Sequence, residues 1–157
     1  MTKNIRLPTH RLAIVVFCLL LPFTTIAYAS EKPTAPESIK GAVTITAEEV
    51  IKLILSNPDI VIIDSRKKTE YIKGHIEGAI NLLNTGLSIE ELSLIAPNKA
   101  GAIIFYCNGP RCLRSSDSVT KAIAWGYNNI FWFRGGWKEW VNKKFPIIMG
   151  EYLYPPK

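Results

Sequence analysis

Two cysteines, Cys107 and Cys112, stand in the stretch AIIFYCNGPRCLRSS, with Arg111 and Arg114 beside them. A thiol becomes a nucleophile only as its thiolate, so the question is what would ionise it. An apolar run ends on Cys107, a short loop with Gly109-Pro110 follows, and a helical pattern opens after it. A loop of that kind turns backbone N–H groups toward a common centre, and the helix N-terminus adds positive potential. Together with the two arginines, this lowers a cysteine pKa from ~8.5 into the range of about 3.5–7.5. On this reading the Cys107 thiolate is the stabilised anion, and Arg111 and Arg114 strengthen the field and hold an anionic substrate. No histidine base is required. The plain alternative is a buried core thiol beside two solvated arginines, since free cysteine is among the most buried residue types. The glycine-proline turn, the cations and the position at a strand end favour chemistry.

The elements that position this loop alternate along the chain. GAVTI is a short strand, and Thr46 with Glu49 forms a capping box opening a helix whose Val50, Leu53 and Ile54 share one face. Ile60 to Ile63 is a continuous apolar run, as in strands buried on both sides. A polar turn, a short helical piece around Thr69 to Ile72 and a small strand at Ala79 to Leu82 come next. Ser88 with Glu91 caps a helix that ends before Pro97. After AIIFY, residues Leu113 to Trp125 read as a helix with Val119, Ala122 and Ile123 inward, stopped by Gly126. NIFWF is another strand, and RGGWKEWVNKKF is a turn with a short helix. The pattern predicts an α/β domain: a parallel sheet of about five strands with helices on both faces. Sites in such sheets form at the C-terminal ends of strands, where both Asp64 and Cys107 fall.

Composition bounds the alternatives. Of 157 residues 48% are hydrophobic and 20% charged, which argues for a globular chain rather than disorder. Lys3, Arg6 and Arg11, then LAIVVFCLLLPF, then the small residues of AYA have the order of a secretory signal, with cleavage expected after Ala29. The alternative is an uncleaved anchor. Cys18 reads as one apolar residue of that segment, because bulky Phe17 precedes it where a lipoprotein signal wants a small residue. Without residues 1–29, sixteen basic residues face thirteen acidic ones, and the net charge falls from +6 to +3. No arginine cluster with interleaved aromatics remains to argue for nucleic acid. The expected organisation is a signal over 1–29, a flexible leader over 30–40, one domain over 41–148 and a tail over 149–157. The expected location is periplasmic or secreted, with no stable membrane insertion after cleavage. Disulfides persist in such compartments.

Four segments in order resemble the rhodanese-like sulfurtransferase family, over roughly Ala42 to Ile147. VIIDSR is similar to its strand ending in Asp-x-Arg, with Asp64 and Arg66 in the motif. YIKGHIEGAINL resembles its Gly-His-Ile segment, IIFYCNGPRCLRSS takes the place of its catalytic loop, and GYNNIFWFRGGWKEW looks like its closing Gly-Gly-x-x-x-Trp turn. The resemblance implies that Cys107 takes a sulfane sulfur from a small anion such as thiosulfate. A thiol, cyanide or a protein cysteine then removes it, in a two-step covalent mechanism. It also implies substrate contacts from Asn108, Gly109, Pro110, Arg111, Cys112, Leu113 and Arg114. Structural roles fall to Asp64, Arg66, His75, Gly136 and Trp137. No cofactor or metal is expected.

The loop departs from the family pattern. The usual arginine five positions after the nucleophile is replaced by Cys112, and the closing Arg-Ser pair stands at Arg114-Ser115, two residues later. Related phosphatases have five residues between cysteine and arginine, whereas six separate Cys107 from Arg114. Cys112 could line the pocket or form a disulfide with Cys107. Three readings stay open: a sulfurtransferase, a thiol-disulfide or sulfur-relay module, and a non-catalytic binding domain of the same fold.

Overall fold

The computed structural model describes residues 33–151. The segment read as a signal, residues 1–29, lies outside the described residues, as do residues 152–157 of the tail.

Five strands form one sheet in the order β1-β5-β4-β2-β3, and every pairing is parallel. They are β1 (Ala42–Thr44), β2 (Val61–Asp64), β3 (Ala79–Asn81), β4 (Ile103–Tyr106) and β5 (Ile130–Phe133). The helices are α1 (Ala47–Ser56), α2 (Lys68–Tyr71), α3 (Ile89–Ile95), α4 (Arg114–Ala124) and α5 (Gly136–Asn142). The two capping boxes close as expected: Glu49 N–H donates to Thr46 Oγ1 at 3.3 Å, and Glu91 N–H to Ser88 Oγ at 3.2 Å.

Strand periodicity divides the core into two layers. Ile63, Ile103, Phe105, Ile130 and Trp132 pack on one face with Leu92 of α3 and with Val119 and Ala122 of α4. Ile62, Ile104, Tyr106 and Phe133 pack on the other with Val50 of α1, Tyr71 of α2 and Trp140 of α5. β4 is the middle strand, buried at all four positions, which is why its sequence shows no polar alternation. Its C-terminal end delivers Cys107 between the ends of β2 and β5. The fold is the α/β parallel sheet expected.

The stretch expected to be a flexible leader is fastened at Ala35, Pro36 and Glu37. Ala35 is 3% exposed and its N–H donates to Pro110 O at 2.7 Å. Arg134 donates to the carbonyls of Pro36 and Ala35 at 2.7 and 3.0 Å and pairs with Glu37 at 2.6 Å. Composition pointed to a linker, but backbone carbonyls are available in any sequence, and Arg134 supplies the donors.

Candidate active site

The loop after β4 folds back on itself. Cys112 N–H donates to Gly109 O at 2.8 Å, and α4 starts two residues later. From behind, α5 holds it: Trp137 N–H donates to Cys107 O at 2.8 Å and Lys138 N–H to Asn108 O at 3.1 Å. This approach requires glycine at 136. Its φ is +56°, and a Cβ there would stand 2.2 Å from the Cys107 carbonyl oxygen. Gly136 and Trp137 therefore act as a backrest for the loop.

Asp64 and Arg66 form a buried anchor. The carboxylate of Asp64 accepts from Arg66 N–H and Nε, both at 2.9 Å, and from the Tyr106 hydroxyl at 2.7 Å. Arg66 also donates to Gly74 O at 2.7 Å, and its guanidinium lies 4.3 Å from the Trp137 ring centroid. These contacts tie the ends of β2 and β4 to α5. His75 is buried and stacks on Tyr71 with centroids 3.8 Å apart, its Nδ1–H donating to Tyr71 O. Burial lowers its pKa, and its backbone bridges to Ile148.

Cys107 and Cys112 are both free thiols, and their surroundings differ. Cys107 is 1% exposed. It donates to Cys112 O at 3.1 Å and accepts from the Ser115 hydroxyl at 3.1 Å, while Trp132 Nε1–H holds that hydroxyl at 3.0 Å. Cys112 is half-buried and accepts from Arg114 Nε at 3.2 Å. The N–H groups of Asn108 and Arg114 also face the Cys112 sulfur.

The charge is thus arranged differently from the sequence expectation. Interaction with Cys112, then burial, pushes the Cys107 thiol up, although Ser115 and the Gly109 N–H pull it down. The hydrogen bond with Cys107 brings Cys112 down, and despite burial the Asn108 N–H and Arg114 help take it to about 5. Arg114 and the N-terminus of α4 favour the Cys112 thiolate. Arg111 is exposed on the cleft wall and has no described contact with either sulfur. The expectation that both arginines lower Cys107 is corrected, because Arg114 Nε donates to Cys112 Sγ and Arg111 stands exposed on the cleft wall.

Two contributors escaped the sequence reading. Glu70 of α2 takes Arg114 Nη1 at 2.8 Å and Asn108 Nδ2 at 2.6 Å. Burial opposes its ionisation, yet these bonds hold the carboxyl down at about 2. It fixes the plane of the arginine that faces Cys112. In the sequence Ser115 is only half of the closing Arg114-Ser115 pair, and its role depends on Trp132. The cleft above the loop has a volume of about 960 Å³. Asn108 through Arg114 line it, and Asn84, Asp117 and Lys138 complete the wall. It therefore offers cations to a small anion. Among the described residues no group of acids, histidines and cysteines could hold a metal ion.

The family profile of the rhodanese-like domain matches residues 46–143. The uncharacterized protein YibN of Escherichia coli K12 is 29% identical over 108 residues, 68% of this chain and 73% of its own length. The thiosulfate sulfurtransferase/rhodanese-like domain-containing protein 3 of Mus musculus is 31% identical over 58% of this chain and 64% of its own. The crystal structure of a thiosulfate sulfurtransferase from Pseudomonas aeruginosa superposes with a TM-score of 0.57 at 24% identity, covering 70% of this chain and 21% of that one, and supports the fold. With the sheet, the loop after β4 and the Gly136-Trp137 backrest in place, the chain belongs to the rhodanese-like domain family.

Proposed function

We propose that this chain is a sulfurtransferase in which Cys107 carries a sulfane sulfur as a persulfide. The donor is a small sulfur-containing anion such as thiosulfate. The acceptor is cyanide or a thiol, including a protein thiol. One observation carries the reading: Cys107 Sγ sits at the end of the central strand, faced by the Ser115 hydroxyl at 3.1 Å, under a cleft walled by Arg111, Arg114 and Lys138. The cations bind the donor's anionic end, and hydrogen-bond donors at the sulfur stabilise a persulfide anion. Transfer splits into two displacements. The donor's sulfane sulfur joins the enzyme as sulfite leaves with the electron pair, and the acceptor then removes that sulfur. Cys107→Ser should abolish thiosulfate-dependent sulfur transfer while the fold persists; turnover retained in that variant rejects the assignment.

A second reading, a thiol-disulfide module, is favoured by the direct interaction between Cys107 and Cys112. Mass spectrometry of protein from its native compartment separates the two. A mass lower by two hydrogen atoms supports the disulfide, and one added sulfur supports transfer. Export completes the proposal: residues 1–29 act as a cleaved signal, placing the domain in the periplasm or outside the cell. N-terminal sequencing that begins at Ser30 supports this, and a mature chain retaining Met1 to Ala29 overturns it. Nucleic acid is not among the proposed partners.

A further inference from the structure

The sulfur-transfer reading leaves Cys112 without a task, and the geometry around it is too specific for a pocket lining. Its sulfur meets Arg114 Nε at 3.2 Å, and Arg114 is itself locked to Glu70 at 2.8 Å. Cys112 lines the cleft, whereas Cys107 is 1% exposed and its thiol is turned toward the Cys112 carbonyl. A donor entering the cleft therefore reaches Cys112 before Cys107.

Resting on that reading, we infer that Cys112 is the loading thiol of this site, which takes sulfur from the donor in the cleft and hands it inward to Cys107 for storage. In the first step the Cys112 thiolate attacks the sulfane sulfur of thiosulfate. A Cys112 S–S bond forms, and sulfite leaves with the electron pair of the broken bond. In the second, the Cys107 proton moves to the terminal sulfur of the Cys112 persulfide, and the resulting Cys107 thiolate attacks that same sulfur. The Cys112 S–S bond breaks, and its pair returns to Cys112, again a thiolate beside Arg114. Cys107 now holds the persulfide. The handover is redox-neutral, and the proton stays on the transferred sulfur, so no oxidant or reductant is consumed.

The direction follows from leaving-group chemistry. A thiol of lower pKa leaves a sulfur–sulfur bond faster, and one of higher pKa is the stronger nucleophile once ionised. Cys112 is on the acidic side of the pair and Cys107 on the basic side, so sulfur runs downhill from the cleft to the buried position. Burial then shields the stored persulfide from solvent nucleophiles. The external acceptor then takes the sulfur from the Cys107 persulfide, so Cys107→Ser loads Cys112 without completing the transfer.

The experiment uses wild type, Cys107→Ser and Cys112→Ser, each mixed with excess thiosulfate without acceptor. Sulfite release is followed in a single turnover and the persulfide is located by peptide mass spectrometry. The inference expects Cys107→Ser to release about one equivalent of sulfite, with the extra sulfur held on Cys112. It expects Cys112→Ser to load Cys107 at least about tenfold more slowly. Circular dichroism establishes that both variants are folded, and brief iodoacetamide labelling of the wild type should modify Cys112 first. Loading of Cys112→Ser at the wild-type rate, or labelling of Cys107 first, overturns the inference and leaves the sulfurtransferase reading standing. Absence of sulfite and of persulfide in all three proteins overturns both.

Discussion

Arg114 bridges a thiol and a carboxylate: its Nε lies 3.2 Å from Cys112 Sγ and its Nη1 2.8 Å from Glu70 Oε2. The guanidinium plane is set by the acid, and the sulfur receives the remaining edge. A lysine could not serve both at once, because an ammonium is a point charge rather than a planar fork. Arg114→Gln should therefore raise the pH at which Cys112 becomes reactive from about 5 toward the ordinary 9.0. At pH 6 the alkylation rate of Cys112 should fall by about twofold or more, as a lower thiolate fraction dictates; the hydrogen bond with Cys107 keeps the rest of the shift. Arg114→Lys should recover only part of it. Iodoacetamide kinetics against pH, read by peptide mapping, give the answer.

Glu70 makes a prediction about acid stability. Its carboxyl titrates near 2 in the fold against an ordinary 4.5, so the native state binds fewer protons than the unfolded chain between those values. Its contribution is complete above pH 4.5 and is lost as pH falls toward 2. Urea unfolding should find the wild type more stable than Glu70→Gln at pH 6, with the gap closing as pH falls toward 2. An equal gap at both ends would contradict the assignment.

Gly136 is a steric prediction. A methyl group there meets the Cys107 carbonyl at 2.2 Å on a backbone with positive φ. Strain and overpacking together should cost Gly136→Ala about 3 kcal/mol. The loop should also lose its backrest, so sulfur transfer should drop alongside the shift in the denaturation midpoint.

Ser115 couples the buried thiol to the core. Ser115→Ala removes the donor to Cys107 and leaves the Trp132 indole N–H unpaired in the interior, for about 1–3 kcal/mol. Persulfide formed on Cys107 should decay faster in this variant, measured as loss of the added sulfur by intact-protein mass spectrometry after loading. Cys112 alkylation should change less.

Breaking the Asp64–Arg66 anchor should act on the fold first. Asp64→Asn leaves the Arg66 charge uncompensated in a buried setting, a loss of about 3–5 kcal/mol. Thermal unfolding would register it. At temperatures where the variant is folded, Cys112 alkylation should match the wild type.

The strands were legible because their burial is written in their composition. Ile60 to Ile63 and Ile103 to Tyr106 show no polar face, and the order of motifs around them indicated the sheet. Capping boxes marked two helix starts because their bonds span three residues. The partnership of Cys112 was not readable. It depends on how the Asn108–Leu113 backbone curls and on Glu70, which meets Arg114 from 44 positions away in the chain. Glu70 sits on a helix of four residues, too short for any periodicity to single out one side chain. The strand-end position and the backbone N–H groups of the loop suggested Cys107 as the ionised thiol, whereas the fold gives the Arg114 guanidinium to Cys112.

The 2.7 Å bond from Ala35 to the Pro110 carbonyl joins the reactive loop to residues ahead of the first strand. The stretch matched by the family profile begins at residue 46, beyond that bond and beyond β1. A chain cut by that boundary would lose an edge strand, and one cut just before Gly41 would keep all five strands. Either would release the loop from its forward fastening and deprive Arg134 of its carbonyl partners. Tension on the peptide before Ala35 reaches the loop without crossing the sheet. In mechanical terms the segment is a hawser: Ala35 makes it fast in the core, and its bond to Pro110 limits how far the loop can swing.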